Sequence, residues 1–353
     1  MPKSKPLNLS DFGISPERGF LTKEDPLSIL PREFGFLDEF GNNLPELIEK
    51  GTLRSETKQL PIPSTNSLMS LREQELQLAW VRYCFIQSAY VHMEEPVFSI
   101  CPSIAIPVWT LSRMLDKPPI LSYDTYTLNN WKRKDENGKI EIDNMELIQT
   151  FMRDPIQAWF ILIHVDIENL AGLAIKNVAE AVLAAERGDA IALESALLNI
   201  DQSLGNIIPV MKRMTEGTSP ATYYKIRRWI MSFKNVVYEG VPEFKPKELE
   251  HGQTGAMTSI FQAIEAGLEM PPLEINKLAT FLKKMREYMP RGHREFIWEL
   301  ETRSQVRRHI ISSAPHLAEI YNSCITKVCA FLETHYGYAF RFIFQQTTNP
   351  EGS

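Results

Sequence analysis

Two of the seven histidines in this 353-residue sequence stand where histidine is costly. Leu317, Tyr321, Cys324, Val328, Phe331, His335, Ala339 and Phe342 follow one another at steps of three and four, so they share one helical stripe. His164 stands likewise in the series Phe160, His164, Ile167, Ala171, Ala174. A histidine on an apolar stripe is either a core residue bonded to a neighbour or a ligand, its neutral imidazole offered to a metal or a haem iron. No HExxH motif occurs, and His309 and His316 are seven apart, a weak pairing for zinc. A metal on His335 would find no second protein ligand nearby in sequence, so haem, whose porphyrin brings its own nitrogens, is the economical form. His92, His251, His293, His309 and His316 have polar or turn neighbours and are expected at the surface or in caps.

Tyr223-Tyr224-Lys225-Ile226-Arg227-Arg228-Trp229 lies on a predicted helix. One of the two adjacent arginines is expected to point inward, where it needs a carboxylate from the protein or from a substrate. Gly252-Gln253-Thr254-Gly255-Ala256 opens a helix, a place for anionic or polar ligand groups or for plain capping. No GxSxG, P-loop or GxGxxG is present.

The elements that must position these residues are mostly helical. The first ~65 residues are proline-rich and irregular, with only Leu44 to Glu49 suggesting a short helix. A helical period runs from Asn66 to His92, and Pro96–Pro119 reads as loop with at most a helix from Val108 to Leu115. Lys132 to Ile142, with Asn137-Gly138, reads as a hairpin or exposed loop and as the best domain boundary. Long helical patterns follow: 156–187, 190–216, 220–233, 258–267, 272–289, 293–303 and 315–344. Ser219-Pro220, Pro272-Leu273-Glu274 and Ser313-Ala314-Pro315 are helix starts. The fold class is therefore mainly α: a small mixed N-terminal domain, 1–143, and a large all-helical domain, 144–353. The length agrees, since domains average about 150 residues.

Composition excludes some partners. Lys and Arg number 38 against 44 Asp and Glu, and the longest basic run, Lys132-Arg133-Lys134, meets Asp135-Glu136 at once. Nucleic acid is not expected. No apolar run follows Met1–Pro6, so no signal peptide is expected, and the prolines of Pro96–Ser112 break that stretch as a membrane span. Cys84, Cys101, Cys324 and Cys329 lack a disulfide or CxxC pattern and are expected as free core thiols in a cytoplasmic protein.

Read together, these residues resemble the indoleamine 2,3-dioxygenase family. The most specific stretch is Phe281 to Arg294, an apolar helix ending in Tyr288-Met289, then three residues, His293 and Arg294. Ser122-Tyr123 with Asn130-Trp131-Lys132, Val237-Tyr238-Glu239-Gly240, Thr258-Ser259-Ile260-Phe261-Gln262, and His335 followed by Arg341-Phe342-Ile343 match in order. The likeness runs from about Gly13 to Phe344.

The resemblance implies haem b, ferrous for O₂ binding, between a small domain over the distal pocket and a large haem-binding domain. It implies opening of the indole C2–C3 bond of L-tryptophan to give N-formylkynurenine, with O₂ as co-substrate, an electron donor to reduce the haem, and a monomer. His335 matches the proximal ligand, and Phe160 a distal-pocket aromatic. His164 falls near the indole N–H, where some family members have His. Tyr223 matches a pocket aromatic, Arg228 the carboxylate-holding arginine, and Tyr123, Tyr126 and Thr127 the small-domain wall. Thr254 and Gly255 match the loop over the haem and the substrate ammonium. Glu265 matches an acidic position on the haem side, and Leu332 replaces the basic residue usual three before the proximal ligand. Family members usually continue into a Gly-Thr-rich loop, where this sequence ends at Asn349–Ser353. Two other readings accompany the enzyme: a haem or O₂ carrier that lost turnover, and an oxygenase for a different indole.

Overall fold

The computed structural model describes residues 6–93, 95, 97–245, 251–271 and 276–348. Its helices in chain order are α1 (Gly35–Glu49), α2 (Leu53–Thr57), α3 (Thr65–Met69), α4 (Glu73–His92) and α5 (Pro102–Met114). Then come α6 (Pro155–Arg187), α7 (Ala190–Lys212), α8 (Met214–Gly217), α9 (Pro220–Arg227) and α10 (Ile260–Gly267). The last are α11 (Asn276–Met285), α12 (Arg291–Arg303), α13 (Val306–Ser313), α14 (Ala318–Ala339) and α15 (Gln345–Thr348). Strands are short: β1 (Ser99–Ile100) pairs parallel with β4 (Val237–Tyr238), and β2 (Lys132–Arg133) pairs antiparallel with β3 (Met145–Glu146). The mainly α class holds.

Two compact units divide the chain. One takes the chain through Glu24, Ile163–Glu216 and Thr258–Pro350; the other takes Asp25–Leu162 and Gly217–Met257. These units are discontinuous in sequence, a different kind of division from a single cut after residue 143.

In the Asp25–Leu162 and Gly217–Met257 unit, α4 is apolar nearly all round. Leu78 through Val91 are buried without a break, as expected of a helix with neighbours on every side. α1, α5 and the segment Arg228–Ile230 pack against it. α1 is longer than the hexapeptide the sequence suggested, and Pro45 is accommodated inside it. Its Leu37, Gly41 and Leu44, at steps of four and three, form the buried face. Gly41 is required: a Cβ there would stand 2.6 Å from both Arg82 Cδ and Gln149 Oε1. Arg82 is buried and satisfied by Asp38, by the Ile148 carbonyl and by Gln149 Oε1.

α5 corrects a second expectation. Pro102 sits at its first turn, where a missing N–H costs nothing, and Pro107 is tolerated further in, so the proline-punctuated stretch is a helix of 13 residues. The period from Asn66 to His92 resolves into α3 and α4, separated at Ser70–Arg72. The Asn137-Gly138 region does lie between paired strands, β2 and β3, although the connection is longer than a two-residue turn.

In the other unit, α7 packs along α14. Asp201 on α7 binds Ser323 Oγ at 2.6 Å and Lys327 Nζ at 2.6 Å, and Cys324 Sγ lies 3.4 Å from the Leu197 carbonyl. Gly172 of α6 lets the backbone of Arg18 and Gly19 come close, since a Cβ would meet Arg18 C at 2.8 Å. α6, at 33 residues, is also long and apolar enough to cross a bilayer by composition, but most of that window is buried inside the protein. The thiols are free; Cys84, Cys101 and Cys324 are buried, whereas Cys329 is exposed and is not the core residue expected.

Candidate functional site

Tyr123, Tyr126 and Thr127, expected at the pocket wall, stand on and beside a π-helical turn, Asp124–Leu128. Such turns carry an extra residue and gather at functional sites. Asp124 holds this one. Its carboxylate is buried against the Lys117 ammonium and accepts the Ser122 hydroxyl at 2.5 Å, and its carbonyl accepts Asn129 N at 2.9 Å. Trp80 Nε1 donates to Thr125 Oγ1 at 2.8 Å and ties the turn to α4.

Tyr126 is fully buried, and burial, together with Tyr223 nearby, drives its pKa far up. Burial pushes Tyr223 up to about 12. Both are therefore neutral phenols at any physiological pH. Tyr223, on α9, packs its ring 4.7 Å from that of Phe160 on α6. Ser219 starts α9 with a capping box with Thr222, and Pro220 occupies its first turn, as the sequence indicated. α9 ends at Arg227, earlier than the expected 233, and a 3-10 turn, Arg228–Ile230, follows.

That turn presents Arg228. Its guanidinium is half-buried, lies 4.4 Å over the Trp229 ring and donates to the His92 carbonyl at 2.8 Å. Among the described residues no carboxylate pairs with it. It lines a cleft of about 420 Å³ with Lys225, Arg153, Asp154, Phe151 and Trp229. Rings join the two groups: Tyr126 stacks on Phe85 at 5.7 Å, Phe85 on Phe151 at 4.5 Å, and Phe151 on Trp229 at 5.6 Å. Arg227, the other arginine of the pair, lies 5.9 Å from the Tyr224 ring.

Thr254 and Gly255 belong to the same unit. Thr254 Oγ1 accepts Ala256 N at 3.4 Å, and Gly255 begins a 3-10 turn that precedes α10. Gly252 anchors this loop, because a Cβ would stand 2.3 Å from the Ile230 carbonyl oxygen.

His164, Glu265 and His335 lie in the other unit. His335 follows Phe331 by one turn on α14, and the Phe331 ring stacks on Phe261 of α10 at 4.4 Å. The stripe from Leu317 to Phe331 is buried as expected, whereas His335 and His164 are half-buried rather than interior. Burial holds the His335 imidazole below its usual pKa, so it is neutral near pH 7. Burial raises Glu265, and the nearby Arg286 charge opposes this. Arg286 itself bonds Gln262 and forms a bidentate pair with Glu301.

One histidine expected at the surface or in a cap is interior, and another, His92, is half-buried at the end of α4. His293 is buried, its Nδ1 3.1 Å from Ser259 Oγ and its ring 4.5 Å from Phe20. His92 lies 3.0 Å from the Met231 carbonyl, and burial, with the Arg228 charge beside it, lowers its pKa. The sequence reading also passed over Gln157. It precedes Phe160 by three residues and His164 by seven, so helical spacing places it on their stripe.

Comparisons with known proteins identify the family. The family model of indoleamine 2,3-dioxygenase matches residues 8–353. Indoleamine 2,3-dioxygenase 1 of Mus musculus is 36% identical over 93% of this chain and 82% of its own length. Indoleamine 2,3-dioxygenase 2 of Homo sapiens is 30% identical over 94% and 82%. A 6-hydroxytryptophan 2,3-dioxygenase of Fusarium equiseti is 27% identical over 95% and 85%. With a single match running from residue 8 to residue 353, the chain belongs to the indoleamine 2,3-dioxygenase family and is, with it, a dioxygenase of the oxidoreductase class.

Proposed function

We propose that this protein uses haem b to open the indole C2–C3 bond of L-tryptophan, giving N-formylkynurenine. Arg228 carries the reading. A half-buried guanidinium that no carboxylate pairs with among the described residues, at the edge of a cleft, suits a carboxylate-bearing substrate, and a haem or O₂ carrier has no use for it.

The donor set suits haem. Among the described residues no group of three or more His, Cys, Asp or Glu could hold a bare metal ion. His335, one helical turn after Phe331 on α14, offers a neutral nitrogen, which supports the proximal role. Glu265, Thr254 and Gly255 complete the proposed cofactor surroundings. When bound, ferrous haem supplies the O₂ chemistry. Both oxygen atoms end in the product, one as the ketone at the former C3 and one as the formyl oxygen at the former C2.

The chain's own residues bind, orient and exclude water. Arg228 holds the carboxylate in two parallel hydrogen bonds. Phe160 and Tyr223, packed on one another, form one apolar surface for the indole and, with Tyr123, Tyr126 and Thr127, keep water from it. Because indole C3 is already nucleophilic, orientation supplies most of what the protein must add. His164 orients the indole N–H and takes no proton in a committed step; unchanged turnover and affinity in His164→Ala would remove it from the site. Residues 1–143 act as the small domain over the distal pocket and 144–353 as the haem domain. We place the protein in the cytoplasm, as a monomer reduced by a separate electron donor.

The test is direct. The haem-loaded protein, reduced and given L-tryptophan in air, is expected to develop the near-ultraviolet band of N-formylkynurenine. Oxygen binding with no product would favour the carrier instead.

A further inference from the structure

The cleft of about 420 Å³ beside Arg228 is lined by two cations, Lys225 and Arg228, and by two anions, Glu49 and Asp154. Among the described residues none of these four side chains makes a salt bridge, with one another or with any other group. The fifth charge of the lining, Arg153, is taken by Glu46 at 3.0 Å. Opposite charges attract strongly only at close range, and here one cleft holds both signs apart. Such a lining favours neither a plain anion nor a plain cation. It suits a ligand that carries both charges.

The charges are sorted by element. Lys225 and Arg228 come from the end of α9 and the 3-10 turn after it. Glu49 ends α1, and Asp154 precedes α6. Asp154 is the better placed of the two anions, because its orientation is fixed. Its Oδ1 accepts Ile156 N at 3.0 Å and so caps α6, with Pro155 at the first helical position. Its Oδ2 meets no cation among the described residues. Glu49 has no such anchor.

Both elements lead to the same pair of rings. Phe160 follows Asp154 by six residues, and Tyr223 precedes Arg228 by five, and the two rings meet at 4.7 Å. Six helical residues rise about 9 Å, comparable with the length of a tryptophan. Phe151 and Trp229, stacked at 5.6 Å, supply apolar lining between the charges and the rings.

Resting on the Arg228 reading above, we propose that Asp154 receives the substrate's α-ammonium across the cleft from the carboxylate site at Arg228, and so selects the free amino acid. An acylated or peptide-bound nitrogen carries no charge and forfeits this contact.

The experiment titrates three ligands calorimetrically into the haem-loaded protein: L-tryptophan, tryptamine, which lacks the carboxylate, and indole-3-propionate, which lacks the ammonium. Asp154→Asn is the main variant. Asparagine caps a helix as well as aspartate, so the thermal midpoint should hold while the charge is lost. Binding of L-tryptophan and of tryptamine is expected to weaken about fivefold, the scale of an ion pair at an open rim, and that of indole-3-propionate to stay unchanged. Glu49→Gln should leave all three unchanged. An equal effect of Asp154→Asn on all three ligands, or none on any, overturns the proposal, as does a loss that follows Glu49→Gln instead. Arg228→Gln tests the underlying reading separately: it should weaken L-tryptophan and indole-3-propionate and spare tryptamine. Failure of that pattern removes the carboxylate site, whereas its success beside an inert Asp154→Asn removes the ammonium site alone.

Discussion

The Arg228 guanidinium is held by the main-chain oxygen of His92, at 2.8 Å, and by no carboxylate among the described residues. A backbone carbonyl orients the fork without neutralising it, so the positive charge stays available to a carboxylate ligand. Arg228→Gln is expected to lower kcat/KM for L-tryptophan roughly ten- to hundredfold, the range for losing a charge-assisted pair. Tryptamine, which has no carboxylate, should show no such loss, and parallel steady-state assays on the two compounds check this.

His92 gives a pH dependence with a definite sign. Its folded pKa lies below the usual 6.5, chiefly through burial, with the Arg228 charge adding to the effect. The unfolded chain therefore takes up the proton first as pH falls. The stability that neutral His92 contributes is complete above 6.5 and is lost as pH drops toward the folded pKa. Urea unfolding between about pH 7.5 and pH 5.5 should show a falling midpoint, and His92→Gln should flatten that fall.

The Lys117–Asp124 pair, both side chains 2% exposed, fixes the turn that carries Tyr126 and Thr127. Asp124→Asn would strand a buried ammonium and should cost about 3–5 kcal/mol in chemical denaturation. Adding Lys117→Met should restore much of it, since it removes the stranded buried charge.

Gly252→Ala probes the loop bearing Thr254 and Gly255. The new Cβ would meet the Ile230 oxygen at 2.3 Å and Met231 C at 2.4 Å, both backbone atoms that cannot rotate away. A loss of about 1–3 kcal/mol, read as a lower thermal midpoint, is expected.

His335→Ala should abolish N-formylkynurenine formation and remove the histidine-ligated haem spectrum while circular dichroism is retained. Recovery of that spectrum on adding imidazole would tie the loss to the missing nitrogen rather than to packing.

Helical spacing made the long elements legible. The period over 156–187 matches α6, and that over 293–303 matches α12 within two residues. It failed where one residue type had two meanings. Pro102 and Pro107 read as breaks, yet Pro102 opens α5 where no bond is lost, and Pro107 lies inside it, where tertiary packing outweighs the lost bond, as it does for Pro45 inside α1. The start at Pro272-Leu273-Glu274 lies outside the described residues. Within the site, the Phe160–Tyr223 contact joins residues 63 apart in sequence, which no periodicity can supply. His293 was misjudged because polar neighbours in sequence say little about Ser259 and Phe20, which surround it in space. Gln157 was detectable, at steps of three and four with Phe160 and His164, but a glutamine at the start of a helix draws no attention until its amide proves unpartnered.

The π-helical turn at Asp124–Leu128 has a consequence for descent. Such a turn differs from an ordinary one by a single inserted residue. A change of one residue in its length would therefore shift Tyr126 and Thr127 together, which makes the register of this wall a property of chain length as much as of side-chain choice.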